Sequence, residues 1–317
     1  MTASGTAVVT TLGVIVIVLS VSAGLIWVER RLLALWQDRL GPNRVGPAGL
    51  LQPLADALKM VAKQDWVPPF AEKPVFLVAP AIIFVAVLTA FAVVPFTPSI
   101  QVVDLNVGLL FFLAMSSLGA YSLLLAGWAS NSKYSLLGGL RSAAQIISYE
   151  VFMGLSLLGV VLMAGSFDLR EIVLAQSRGW FVGPQVVGFV VFFVAGLAET
   201  HRLPFDLPEA ETELVAGFHS EYSAMKFGMF FVGEYLGVIL ISCMTTLLFF
   251  GGWLGPGLPA ILWFLIKTSV FIALFILMRA ALPRPRYDQL MRLGWKVLLP
   301  ISLANLMITA AVVIAAD

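Results

Sequence analysis

Eight times along this chain, about twenty apolar residues follow one another with almost no charge among them. A hydrocarbon core about 30 Å thick needs about 20 such residues in helical form. The stretches fall at 7–28, 75–94, 107–127, 146–164, 186–203, 227–250, 260–282 and 297–315. Pro80 lies inside the second, where neighbouring helices can re-pair the backbone that a proline frees. Only 12% of the residues are charged and 60% come from AVILMFWYC, whereas a soluble domain carries about 25% charged residues. That deficit excludes a disordered chain, a coiled coil and a conventional cytosolic enzyme. No basic residue precedes the first stretch, which runs too long for a signal-peptide core and is expected to remain as a span. The expected fold class is an all-α integral membrane protein. Residues 1–317 form a single polytopic domain of eight transmembrane helices, with short amphipathic helices on the cytoplasmic side.

Orientation follows from the basic residues. Sixteen of the nineteen Lys and Arg residues fall in or at the edges of the first, third, fifth and seventh loops. Only Arg170 and Arg178 fall in the even loops, and Lys267 lies within a span. Basic loops stay on the cytoplasmic side, so both termini are expected in the periplasm. A net charge of +1 offers no nucleic-acid footprint. The lone Cys243 excludes an internal disulfide and a cysteine-ligated cluster.

The longest loop, 29–74, has a Gly/Pro-rich turn at 41–49. Leu51, Leu54, Leu58 and Val61 then recur at helical spacing, with Asp56, Lys59 and Lys63 as polar positions. An interfacial helix over about 50–63 accounts for this pattern; so does a surface helix that merely closes the loop.

GxxxxGK[ST], GxGxxG after a strand, CxxC and HExxH are all absent from the sequence. His201 and His219 have no local partner at ligand spacing, so hydrogen-bonded histidines are expected rather than a metal site. The informative residues are charges inside spans: Glu150, Glu199, Glu234, Lys267 and Arg279. Each costs several kcal/mol in lipid and normally marks a polar pathway. Glu150 and Glu199 sit near cytoplasmic span ends, where snorkelling is an equal explanation. Glu234 lies about 10 Å deep at 1.5 Å per residue, and Lys267 is farther still from that face. A buried structural Glu–Lys pair is the competing reading for these two. Gly233 and Gly237 allow close helix packing beside Glu234.

Loop 204–226 is the densest site. Asp206-Leu-Pro-Glu209 has the form of a capping box opening a short helix. That helix is expected to present Glu209 and Glu213 on one face and Glu211 away from it. With Glu221, five carboxylates occupy sixteen residues without a Lys or Arg. Like charges so close raise one another's pKa, which suits proton storage and relay. A solvated acidic loop is the bland alternative, but Leu203, Phe205, Leu214, Val215 and Phe218 interleave with the acids and argue for partial burial.

At these residues the chain resembles a known family. Four motifs carry the likeness: VERRLLALWQDRLGPNRVGPAGLLQPLADALKMVAKQDWVP (28–68), NSKYSLLGGLRSAAQIISYEV (131–151), AETHRLPFDLPEAETELVAGFHSEYSAMKFGMFFVGEY (198–235) and RAALPRPRYDQLMRLGWKVLLP (279–300). They look like the signatures of the H-subunit family of bacterial NADH:quinone oxidoreductase, respiratory complex I. The likeness covers nearly the whole chain, and the family's eight spans and outside termini agree with the count above.

The resemblance implies a proton-conducting carboxylate funnel of Glu150, Glu199, Asp206, Glu209, Glu211, Glu213, Glu221 and Glu234, to which the depth of Lys267 adds a candidate. It implies a quinone tunnel opening between the first span, the interfacial helix and the sixth span. Glu29, Arg30, Arg39, Asp56, Phe230 and, nearby, Arg279 hold the matching positions. The family commonly has Asn where His201 stands, so a titratable group is added beside Glu199. No metal or cofactor is expected on this chain: quinone is the substrate, and iron–sulfur clusters and FMN are expected in partner subunits. The implied partners are peripheral-arm quinone-site subunits docking on basic loops one and seven, small membrane subunits, antiporter-like pumping subunits and membrane lipids. The implied location is the bacterial inner membrane, with no activity from the isolated chain. Two alternatives stand beside this reading: the homologous membrane subunit of an energy-converting hydrogenase, which uses no quinone, and a free-standing ion or solute transporter.

Overall fold

A computed structural model describes residues 3–209 and 211–316. Its α-helices are α1 (Ala3–Trp36), α2 (Gln52–Ala62), α3 (Lys73–Ala90), α4 (Gly108–Ala129), α5 (Lys133–Ala164) and α6 (Leu169–Ala175). They continue as α7 (Val186–Glu199), α8 (Glu211–Leu214), α9 (Ala224–Phe249), α10 (Ala260–Ala281), α11 (Tyr287–Leu293) and α12 (Leu299–Ala316). Among the described residues the only β-pairing is an isolated Thr97–Ile100 bridge. Among the described residues seven helical stretches are long and apolar enough to cross a membrane, the last running Tyr287–Ala315 through α11, a π-helical turn and α12. The fifth predicted stretch, 186–203, differs. Helix α7 has 14 residues, about 21 Å at 1.5 Å per residue. It stops at Glu199 because His201 takes a left-handed backbone conformation with φ 50° and Pro204 follows.

Helix α9 is the axis of the bundle. Its residues 238 to 249 are all buried, as expected of a helix that is apolar on every side. Helices α1, α3, α7 and α10 pack around it, and α4 pairs with α3 and α5. At the α4–α5 crossing Gly127 faces Gly139, where a Cβ would stand 3.0 Å from the Leu123 carbonyl; only small residues let these backbones approach. Outward faces carry Val8, Leu12 and Val16 on α1 and Met307, Ile308 and Ile314 on α12, side chains suited to lipid. The apolar stripe of α2 (Leu54, Leu58 and Val61, with Leu51 before it) also faces away from the bundle.

Helix α3 runs through Pro80 without interruption. Pro80 has no N–H to offer the Phe76 carbonyl, and the Tyr222 hydroxyl donates to that oxygen instead, at 3.2 Å. The Tyr222 ring stacks on Phe76 with centroids 4.0 Å apart, so the fifth loop is pinned to α3. Tyr222→Phe should therefore destabilise the fold by about 1 kcal/mol. In a Pro80→Ala background, where the backbone donor returns, the cost should shrink towards zero. A double-mutant cycle on the thermal midpoint measures the difference, and equal costs in both backgrounds would remove this account of Tyr222.

Candidate functional site

Two cavities meet where α1 and α9 approach the first and fifth loops. The outer one, about 600 Å³, lies between α1, α2 and α9 and is lined mainly by apolar residues such as Leu19, Ile26, Met60, Phe84 and Val232. Arg30, Asp56 and Lys59 form its polar wall. Arg30 Nη1 donates to Asp56 Oδ2 at 2.7 Å, and Gln52 Nε2 reaches Oδ1 at 3.2 Å. Burial opposes ionisation of Asp56, but these two hydrogen bonds and the charges of Arg30 and Lys59 outweigh it and hold its carboxyl below the usual range.

The inner cavity, about 360 Å³, is lined by Glu29, Arg202, Glu209, His219, Glu234, Tyr235 and Arg279 among others. Arg30, Phe227 and Phe231 line both cavities, so the aromatic pair stands between an apolar space and a charged one. Phe230 is buried in the inner wall, edge-on to Phe218 at 5.3 Å and Tyr222 at 5.1 Å.

Arg202 organises the charges. Its Nη1 lies 3.7 Å from Glu29 on α1 and its Nη2 3.6 Å from Glu234 on α9. The guanidinium also stands 4.1 Å from the Tyr235 ring centroid. Arg279, from α10, pairs with Glu29 as well. Glu29 is 5% exposed and Arg202 9%, so each needs the other: a buried charge without a partner costs several kcal/mol. Glu209 reaches in from the fifth loop, close enough to hydrogen-bond Glu234, and lies 3.7 Å from His219 Nδ1.

From Glu234 a further cavity of about 60 Å³ continues inward, lined by Ser116, Glu199, Thr200, His201 and Gly237. Ser116 donates to Glu199 at 2.5 Å, and His201 Nε2 meets Ser142 Oγ at 2.9 Å. Glu199 is within electrostatic reach of Glu150, which borders a cavity of about 290 Å³ together with Ser117, Tyr121 and Ile147. Tyr121 and Ile147 are exposed on the α4–α5 face. Carboxylates from α1, α5, α7, α9 and the fifth loop are thus strung from the chamber to the side of the bundle. Gly233 and Gly237 meet Ile83 and Thr200 at ordinary distance, and the tight α7–α9 crossing is instead Gly196 against Ile241.

Residues 9–310 match the NADH dehydrogenase family. Over 313 residues the chain is 63% identical to the H subunit of the NADH-quinone oxidoreductase of Methylococcus capsulatus, covering 98% of each protein. The chain belongs to the H-subunit family of NADH-quinone oxidoreductase.

Not every predicted position in this H-subunit family member joins the chamber. The helix predicted to open at Asp206 does not form there: 206–209 is a turn, and α8 covers only Glu211–Leu214. Asp206 Oδ1 caps nothing, the Asp206 carbonyl is taken by Arg284, and Glu209 is drawn towards Glu234. Glu209 and Glu213 consequently part company. Glu213 points outward, its carboxyl held below the usual range chiefly by the 2.7 Å hydrogen bond from Arg141. Glu221 is half-buried outside the chamber wall, and the Glu211 side chain lies outside the described residues. Arg39 is exposed and bonds Gln37 at 2.8 Å. Lys267 is bound elsewhere, to backbone carbonyls of Phe250, Gly252 and Leu254. Arg202, one of the basic residues of the orientation count, and Tyr235, Phe227 and Phe231 join the chamber without a sequence motif that assigns them to it. The available signal was Arg202's place three residues after Glu199, at the end of a long apolar run.

Asp206 titrates unusually. Burial, reinforced by Glu209 and opposed by Arg284, Arg279 and Arg202, pushes its pKa from 3.8 up to about 7. Between those values the folded chain binds more protons than the unfolded one, so stability falls as pH rises through the window and levels off above it. Asp206→Asn, neutral throughout, should flatten that slope. Thermal inactivation followed from about pH 4 to pH 7 checks this, and an unchanged slope would place the titration elsewhere.

Proposed function

We propose that this H-subunit family member is the membrane subunit of a bacterial respiratory complex I that admits quinone from the lipid and carries the consequences of its reduction to the proton-pumping machinery. The observation that supports this most is the joining of an apolar groove to a charged chamber across Phe227 and Phe231. A quinone has an apolar tail and a polar ring, and such a ligand needs both environments in that order. The outward stripe of α2 fits a helix lying in the headgroup region beside the groove, with Arg30, Asp56 and Lys59 framing the opening.

Reduction of a quinone to a quinol takes up two electrons and two protons. An iron–sulfur cluster in a partner subunit would supply the electrons. In this chain Arg202 and Arg279 keep the chamber's buried carboxylates compatible with burial. Glu234 borders both the chamber and the cavity leading to Glu199, so a change of charge around the ring is passed inward along Glu234, Glu199 and Glu150. Asp206 and Glu209 feed the same acids from the loop. The pathway ends at the α4–α5 face, where small membrane subunits would receive it. The short α7, packed against α5 and α9 along Val191–Phe193 and Ala195–Ala198 with Val186, Val187 and Val190 left exposed, is the eighth crossing. Both termini then lie in the periplasm of a bacterial inner-membrane protein.

In assembled complex, Asp56→Asn and Phe231→Trp should lower quinone reduction several-fold while NADH oxidation by ferricyanide is retained. Equal loss of both activities would argue against the tunnel. Glu234→Gln should assemble but lose coupled turnover, with Glu234→Asp retaining part of it; parental pumping by Glu234→Gln would make that residue structural. Quinone-dependent NADH oxidation by the purified complex separates this reading from the hydrogenase alternative. The topology has its own check: alkaline phosphatase fused after Asp317 should be active, and an inactive, cytoplasmic fusion would reverse the orientation.

A further inference from the structure

The end of the bundle opposite the chamber holds a cation that none of these cavities uses. Lys267, on α10, is buried, and its Nζ donates to three backbone carbonyls at once: Phe250 at 2.7 Å, Gly252 at 3.0 Å and Leu254 at 2.7 Å. Three donors are all that an ammonium has. Phe250 is the C-cap of α9, where the last carbonyls carry the negative end of the helix dipole. The three oxygens converge because Gly251 and Gly252 take positive φ angles of 67° and 50°, folding the chain back over the helix end. Trp180 and Trp263 flank the ammonium, their ring centroids 4.8 and 5.5 Å from Nζ. Gln176 fastens the same turn from another side, accepting from Gly251 N at 2.9 Å and donating to the Leu247 carbonyl at 2.7 Å.

We propose that Lys267 is a tethered cation filling a carbonyl-and-tryptophan site of the class that takes ammonium and alkylammonium ions, and that its charge holds this end of α9 and α10 closed. The three oxygens that hold the Nζ protons belong to amide carbonyls, which are not bases at physiological pH, so the ammonium has no acceptor to which it could pass a proton. Phe250 is also sixteen residues beyond Glu234, about 24 Å along a helix axis. The site therefore serves assembly and sealing, and it stands apart from the carboxylate pathway proposed above.

The test uses the assembled complex. Lys267→Met, neutral and of similar length, should lower the thermal-inactivation midpoint by several degrees while leaving the proton-to-electron ratio at the parental value. Lys267→Arg keeps the charge and the donors but releases no proton near neutral pH, and should keep both the ratio and most of the midpoint. In Lys267→Ala, propylammonium should recover assembled, heat-resistant complex, whereas tetramethylammonium, which has no N–H donor, should not. A parental midpoint in Lys267→Met, or a lowered proton-to-electron ratio in Lys267→Arg, overturns the proposal. If neither of those variants assembles, Lys267→Ala decides, and equal results with the two ammonium salts overturn it.

Discussion

Two carboxylates from different helices are withdrawn from water and share one guanidinium. The pairing of Glu29 and Glu234 with Arg202 is the constraint around which the chamber is built. Removing an ion from water costs several kcal/mol even after the surroundings relax, and only close opposite charge makes that tolerable. The acids sit on α1 and α9, while the base lies just beyond the end of α7. Their interaction therefore fixes three chain segments together, and Arg279 adds α10 through Glu29. An early end to α7 is what brings Arg202 there. A helix continued to Leu203 would have kept turning that side chain about the α7 axis.

The same constraint explains where polarity stops. Below Gly237, α9 is buried without a break, and its polar side chains turn back on their own helix. Ser242, Thr245 and Thr246 each donate to the carbonyl four residues earlier at 2.7 to 2.9 Å. The cavities bordered by carboxylates instead lie to the side, next to Glu199 and Glu150. Lys267 closes the far end with its ammonium fully engaged by carbonyls. The upper half of the molecule is consequently polar at its centre, and the lower half is packed with Phe189, Phe249, Phe250 and Phe271.

Much of this architecture was legible in the residues. Apolar runs located the long helices, because the length of a span is set by the thickness of the hydrocarbon and needs no knowledge of neighbours. The periodicity of Leu51, Leu54, Leu58 and Val61 marked α2. Partial burial of the fifth loop was readable from the apolar residues among its acids: Asp206 and Glu209 are drawn inward, whereas Glu213 is exposed. The capping-box pattern misled for a definite reason. It describes a preference among local hydrogen bonds worth about 1 kcal/mol, and the contacts of Arg284 with the Asp206 carbonyl and of Glu209 with Glu234 are tertiary.

The sequence by itself determined that the chain is built of long apolar helices, which positions in the apolar stretches carry charge, and, through four long motifs, the family to which it belongs. Tertiary structure alone decided how the charges are paired. A Glu234–Lys267 pair was the competing reading of two deep charges, yet Glu234 lies beside Arg202 while Lys267 is bound to carbonyls beyond the other end of α9. Arg202, one of the basic residues of the orientation count, is the shared partner of buried Glu29 and largely buried Glu234. Hydrophobicity acts residue by residue and survives projection onto a line. Coulombic pairing and cavity formation depend on distances between elements remote in sequence, and those come into being only when the helices pack.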